Sequence, residues 1–297
     1  MITNSSPGVI HCPVCEAPST FEAKAVVSPW IRHFGVKRTR KSNFMHCQNC
    51  DLGFFDYRYT SREMSLIYSD YRSVKYTQVR NRWEPWYSHD FNSAHDSIAW
   101  SVMRKKSLEA FLEKYLSSTP KSIVDVGGDR GQYIPDLGSN KLYVLEASNK
   151  VLLPGIERVR ALNEISEIGL IIYSHVLEHV SEPLIELKEL LEKSKFVYVE
   201  VPFGIPHINK ARRSRIRFAL RFGASLSPWM WSKMTNPSTG RRSGNGILTQ
   251  GEHLNFFSVK SLGAMGKILD RSVQIEVNEI QTPDNATARV IQCLFTS

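Results

Sequence analysis

The chain has 297 residues, 42% hydrophobic and 23% charged, enough for one large domain, or one medium and one small, around a sizeable core. No apolar run approaches the ~18 residues that a bilayer-spanning helix needs. The net charge of +9 is local: Val201 to Gly251 carry nine Lys or Arg and no Asp or Glu, while the other 246 residues carry 29 of each sign, which excludes a uniformly basic surface.

The N-terminus, MITNSSPGVIHCPVC, has neither a basic region nor an apolar stretch, so no signal peptide and a cytoplasmic location are expected. HCPVC supplies Cys12 and Cys15, and HCQNC supplies Cys47 and Cys50. Two C-x-x-C knuckles on one short segment point to a closed, structural tetrahedral zinc site. Disulfides or a redox pair are the competing readings, and a reducing cytosol disfavours disulfides. His11 and His46 are read as neighbours of the knuckles, and Cys293, in RVIQCLF, as a core thiol.

Residues 61–96 are rich in Tyr, Trp and Arg without clean periodicity. Residues 97–117 have the apolar spacing of an amphipathic helix. From there the pattern alternates. SIVDV, KLYVLEAS, ERVRAL, IGLIIYS and KFVYVEVP read as strands, PLIELKELLEKS and SVKSLGAMGKILD as helices, and SVQIEVNEI and ARVIQCLF as closing strands. Strands alternating with helices predict a mainly parallel, doubly wound α/β sheet.

Two strand ends carry chemistry. DVGGDRG, Asp125 to Gly131, is a turn in which glycine lets the backbone approach a ligand. The next strand ends in Glu146, 21 residues past Asp125, an offset that suits the hydroxyls of an adenosine ribose. Neither a full G-x-G-x-x-G nor a G-K-[ST] is present, so a nucleoside ligand without phosphates fits better than a pyrophosphate. YSHVLEHVSEP holds an H-x-x-E-H: His175, Glu178 and His179. That is the spacing of an inverted zinc-protease helix. Here it follows a strand directly, and Pro183 is expected to open the next helix. A strand-end residue such as His175 is therefore read as lining a pocket, and His179 as a packing or supporting residue.

This order of motifs resembles the class I S-adenosylmethionine-dependent methyltransferases over about residues 95–297, with VLEHV-x-x-P the most typical phrase. The resemblance implies a Rossmann-like sheet closed by an antiparallel pair. It matches Asp125, Gly127, Gly128 and Gly131 to the methionine-side loop, Glu146 to the ribose clamp, and Ser174 with His175 to the lip of the fourth strand. Asp129 departs from it, standing where many members have a second glycine. Sugar methyltransferases with an N-terminal zinc domain tolerate a polar residue there, and CQNCDLGFF and GEHLNFFS extend the resemblance to that branch. It implies Glu252 and His253 at the active site, with His253 as base, and Tyr71 reaching the same pocket. The implied organisation is a zinc subdomain at 1–60, a connector at 61–96, and a methyltransferase domain at 97–297 with a basic insertion at 203–250. At this length, no counterpart of the extra C-terminal domain of several sugar C-methyltransferases is expected.

The insertion alternates Arg with Phe, Leu and Trp (RIRFALRF, SPWMWSKM). It reads as a pocket for a nucleotide-linked or anionic glycan, as a peripheral membrane contact at 210–234, as an RNA grip, or as a solvated loop. A sugar acceptor is the leading expectation, an RNA base the second. A third reading is a catalytically inactive zinc-containing binding module.

Overall fold

The computed structural model describes residues 9–69, 71–88, 97–146, 150–206, 208, 215–235, 248–281 and 287–297. The elements in chain order are β1 (Thr20–Val27), α1 (Pro29–His33), β2 (Lys41–Cys47), β3 (Leu52–Phe55), α2 (Ser61–Tyr68), α3 (Val74–Trp83) and α4 (Ile98–Tyr115). They continue with β4 (Ser122–Val126), β5 (Lys141–Leu145), β6 (Ile156–Val159), β7 (Leu170–Ser174), α5 (Pro183–Lys193), β8 (Phe196–Pro202), α6 (Arg215–Ala224) and α7 (Pro228–Thr235). The last are β9 (Leu248–Gln250), β10 (Asn255–Phe256), α8 (Val259–Ile268), β11 (Ser272–Gln281) and β12 (Thr287–Thr296).

The larger sheet runs β11-β12-β8-β7-β4-β5-β6. β4 pairs in parallel with β5 and β7, β5 with β6, and β7 with β8. β12 returns antiparallel against β8, and β11 antiparallel against β12. This is the Rossmann-like α/β sheet with a closing antiparallel pair expected from the sequence. Its central strands are nearly continuous apolar runs because helices cover both faces. Leu108, Phe111 and Leu112 of α4 join Ile123, Tyr198 and Leu294 on one face. α5 and α8 supply Leu187, Leu190, Leu262 and Met265 to the core that holds Ile171, Val199 and Ile291 on the other. Cys293 is buried in that core. The sheet winds outward in both directions from β4, and the carboxyl ends of β4 and β7 flank the crevice where such folds bind ligands.

The smaller sheet runs β10-β3-β2-β1-β9. Its two edges come from the far end of the chain, so it crosses the division drawn from the sequence. β9 pairs with β1 and β10 with β3, on either side of Gly251–Leu254. The aromatic connector, in which no period was legible, forms α2 and α3. Thr60 and Glu63 cap α2 reciprocally, and Ser73 caps α3 through the Tyr76 amide. Among the described residues no helix is long and apolar enough to cross a membrane.

Candidate active site and cysteine knuckles

The four knuckle cysteines converge. Cys12 Sγ lies 3.6 Å from Cys50 Sγ and Cys15 Sγ 3.4 Å from Cys47 Sγ, and all four sulfurs lie within 4.8 Å of one another. Each knuckle turns the same way: the amides of Glu16 and Asp51 bond back to the carbonyls of Cys12 and Cys47, at φ of 56° and 61°. The sulfurs are free thiols with no disulfide among them. Thiolates at the corners of a zinc tetrahedron stand about 3.8 Å apart, so this donor set fits that ion. His11 and His46 bond instead to the Glu16 carbonyl (2.6 Å) and the Asp51 carboxylate (2.8 Å).

After β4, the loop Gly127–Gly131 passes under the end of β5. A Cβ on Gly128 would lie 2.3 Å from Cγ of Asp125, and Gly131, at φ +81°, would drive one to 2.4 Å from Ile156 Cδ1. Asp129 adopts φ +54°, a region costly for most side chains but open to Asp. Its carboxylate pairs with Lys150 Nζ at 2.8 Å, and its amide donates to Glu146 Oε2 at 3.2 Å. The polar residue in the glycine position thus ties the loop to the strand end that presents Glu146. Asp125 is buried, and one of its carboxylate oxygens has no hydrogen-bond partner among the described residues. Burial, opposed by Arg104, raises its pKa to about 7.

Behind this loop lies a buried network that the sequence reading missed. Arg104, from α4, donates to Ser174 Oγ (2.8 Å) and Glu200 Oε1 (2.6 Å). Its guanidinium lies over the Tyr133 ring at 4.3 Å. Tyr198 and Gln292 donate to the other Glu200 oxygen. His175, at φ +56°, sets Nε2 3.2 Å from Glu200 and Nδ1 3.3 Å from Glu178. Burial and Arg104 would lower the His175 pKa, but those two carboxylates outweigh them and raise it. Ser174 and His175 stand at the carboxyl end of β7, with their side chains partly committed to Glu200. A hollow of about 430 Å³ opens beside the loop, lined by Ser101, Val102, Asp129, Arg130 and Gln132 among others.

The GEHL segment meets the H-x-x-E-H turn. The amides of Leu254 and Asn255 both donate to the Glu178 carbonyl, at 2.8 and 3.0 Å. The Asn255 side-chain amide donates to the Val180 carbonyl (2.8 Å). Arg58, from the N-terminal half, donates to the carbonyls of Val180 and Ser181 and to Asn255 Oδ1. This clamp places one atom each of Glu178, His179 and His253 within 4.8 Å of one another. The rings of His179 and His253 are 4.7 Å apart, and Tyr68, not Tyr71, is bonded to His179 Nδ1 at 2.9 Å. Tyr71 sits between Tyr68 and Tyr76, 5.4 and 5.3 Å from their rings. Glu178 is buried, and its carboxylate oxygens have no hydrogen-bond donor of good geometry among the described residues. A carboxylate and two imidazoles this close can share a proton or hold a divalent cation.

Glu252 is buried and taken by other partners than His253. Arg80 and Tyr76 both donate to its Oε1. Arg80 also bonds Glu84 at 2.9 Å and is boxed by the rings of Tyr87 and Trp30, 3.9 and 4.4 Å from its guanidinium carbon. Burial pushes the Glu252 carboxyl up, and Arg80 with the two imidazoles more than offsets it, leaving the group below its ordinary range. His253 goes the other way: burial and His179 lower its pKa to about 4. At neutral pH it is an uncharged ring with a lone pair. His179, read as a supporting residue, stands at the centre of the cluster. The signal that it mattered was only its place beside Glu178.

Residues 207, 209–214 and 236–247 of the basic insertion lie outside the described residues, among them Lys210, Arg212, Arg213, Arg241 and Arg242.

No protein-family model matches the chain, and no curated protein matches it. Solved structures that it is similar to include a Burkholderia thailandensis 1,6-didemethyltoxoflavin-N1-methyltransferase with bound S-adenosylhomocysteine, 9% identical, at a TM-score of 0.45 over 88% of this chain and 97% of that one. The plantazolicin methyltransferase BpumL in complex with SAH is 12% identical, at 0.43, over 73% and 95%. The magnesium protoporphyrin IX methyltransferase from Synechocystis PCC 6803 with bound SAH is 11% identical, at 0.42, over 79% and 100%.

Proposed function

We propose that this chain transfers a methyl group from S-adenosylmethionine to a sugar, on a nucleotide or a glycan precursor, and that its N-terminal cysteines hold a structural zinc ion. The observation that carries the reading is a juxtaposition. A glycine loop and an acidic strand end, of the kind that holds an adenosine, stand on the same sheet edge as a proton-handling cluster of Glu178, His179, His253 and Tyr68.

Glu146 would take the ribose hydroxyls, and Gly127, Gly128 and Gly131 would let the backbone lie against the methionyl chain. The unmatched Asp125 oxygen suits an ammonium group, and Ser174 with His175 would border the site. When bound, the cofactor supplies an already activated methyl group, so the chain's own task is to orient the acceptor and remove its proton. His253 can accept that proton because it is uncharged at neutral pH, with a lowered pKa that makes it a weaker base than an ordinary histidine. The imidazolium formed would face the carboxylates of Glu178 and Glu252, which stabilise it as it appears. Glu252, held by Arg80 and Tyr76, acts as a fixed negative charge rather than a second base. Tyr68 and Tyr71 line the acceptor side. A sugar suits this cluster because hydroxyls and ring faces match tyrosines, imidazoles and a carboxylate.

The test uses purified protein, methyl-labelled cofactor and host extract. Label in an acid-soluble or lipid-extractable saccharide supports the reading. Label in nuclease-sensitive RNA would transfer the proposal to an RNA base and withdraw the role of His253. Failure to bind S-adenosylhomocysteine in calorimetry would leave a zinc-containing binding module.

A further inference from the structure

We infer that α6 and α7 form a docking surface for an anionic lipid bilayer, and that the sugar acceptor is met there as a lipid-linked saccharide. The surface stands on its own observations; the acceptor clause rests on the methyl-transfer reading.

The inner side of this arm is anchored. Trp231 is fully buried against Val26, with Trp83, Phe218 and Phe222 packed around it. The ammonium groups of Lys24 and Lys41 lie over the rings of Phe218 and Phe222, each at 5.4 Å. The outer side has the opposite character. Leu220, Leu226, Trp229 and Met230 are 61%, 63%, 68% and 45% exposed, all on α6, α7 and the turn between them. Single exposed apolar residues are ordinary; several large ones on one short arm mark a contact surface.

Charge selects the occupant. The stretch from Val201 to Gly251, which contains this arm, holds the chain's entire excess of positive charge and no acidic residue. Apolar and Trp side chains set among Lys and Arg are the composition of a helix lying in a bilayer interface. Nucleic acid would use the aromatic ring and the cations but has no use for Leu220, Leu226 and Met230, which cannot stack on bases as a ring does. A hydrocarbon boundary takes up all of them.

Position gives the surface a purpose. α7 packs against α3, the helix that carries Tyr76 and Arg80 beside Glu252. An arm seated on a bilayer would bring the acceptor pocket to the membrane surface, where a saccharide on a lipid carrier is confined. A freely diffusing sugar nucleotide needs no such seat.

The experiment is flotation of the full chain with phosphatidylcholine vesicles, alone or with about a third phosphatidylglycerol. The wild type should float with the anionic vesicles and be released as salt is raised. The double variant Leu226→Ser/Trp229→Ser should lose vesicle binding by about tenfold or more. It should keep its affinity for S-adenosylhomocysteine and its melting temperature, because neither residue is buried. Three outcomes overturn the inference: a wild type that stays in the soluble fraction with both vesicles, a folded double variant that floats as well as the wild type, or a variant whose only loss is binding of RNA or of a second copy of the chain. Vesicle binding without any affinity for S-adenosylhomocysteine would remove the methyl-transfer reading and leave the surface standing.

Discussion

Arg80→Met tests whether the charge pattern around Glu252 is held by one guanidinium. Arg80 is paired with both Glu252 and Glu84, and all three side chains are at most 13% exposed. Methionine keeps much of the apolar volume between Trp30 and Tyr87 but leaves two buried carboxylates without their cation. Removing one partner from a buried pair costs about 3–5 kcal/mol. For a chain of this size that is a fall in melting temperature of roughly 6–10 °C. The loss must depend on pH. In the wild type the folded pKa of Glu252 is depressed, so its contribution is present above the unfolded value and is lost as pH falls through the folded one. Burial already raises the Glu84 carboxyl in the wild type; in the variant it acts unopposed by Arg80 on both carboxyls and holds them above their unfolded values. Their penalty then vanishes in acid and grows as pH rises through the unfolded value. Scanning calorimetry of both proteins from about pH 4 to pH 8 should show melting temperatures that converge in acid and separate toward neutrality. A gap that is absent, or that stays constant with pH, would refute the claim that Arg80 keeps Glu252 ionised.

Other outcomes follow from the same geometry. His253→Ala should keep its affinity for S-adenosylhomocysteine and lose about 10²–10⁴-fold in kcat; near-normal turnover removes His253 from the role. Because the His253 pKa is lowered to about 4, the acid limb of the wild-type kcat profile should fall near that pH and not near the ~6.5 of an ordinary histidine. Glu146→Ala should weaken S-adenosylhomocysteine binding in calorimetry by about tenfold or more while the loop amide of Asp129 loses its acceptor. Elemental analysis should find one zinc per chain, and Cys12→Ser or Cys50→Ser should lower both the zinc content and the melting temperature, since the metal would tie the two knuckles to each other. Micromolar free zinc added in excess should inhibit turnover reversibly, because Glu178, His179 and His253 offer it a second donor set at the lone pair the reaction needs.

The larger sheet could be read from the sequence because its strands are short apolar runs separated by glycine and helical periodicity. The resulting positions follow local rules: Ser122–Val126 and Phe196–Pro202 are buried on both faces, and Pro183 opens α5. The two knuckles were legible for the same reason, since C-x-x-C spacing is local. The smaller sheet was not, because β9 and β10 have three and two residues and gain their meaning only from partners about 200 positions away. Tyr68 was hidden among the tyrosines of its segment. Which of them touches a histidine is set by the capped register of α2, where Thr60 fixes the first turn. Arg104 was hidden in an amphipathic helix, where an arginine usually faces water. Only the depth of Glu200 in β8 shows that it points inward.

The borrowed edges of the smaller sheet bear on how the protein can be made. β1 and β3 stay open until Leu248–Gln250 and Asn255–Phe256 have been synthesised. A chain cut after the connector would expose two unpaired strand edges beside the knuckles, which is a template for aggregation. The cysteine-bearing sheet is therefore unlike a bead on a string: its two edge strands flank the Gly251–Leu254 segment that carries His253, and they are made late in synthesis. A fault in pairing β9 or β10 should therefore disturb both the cysteine-bearing sheet and the position of His253.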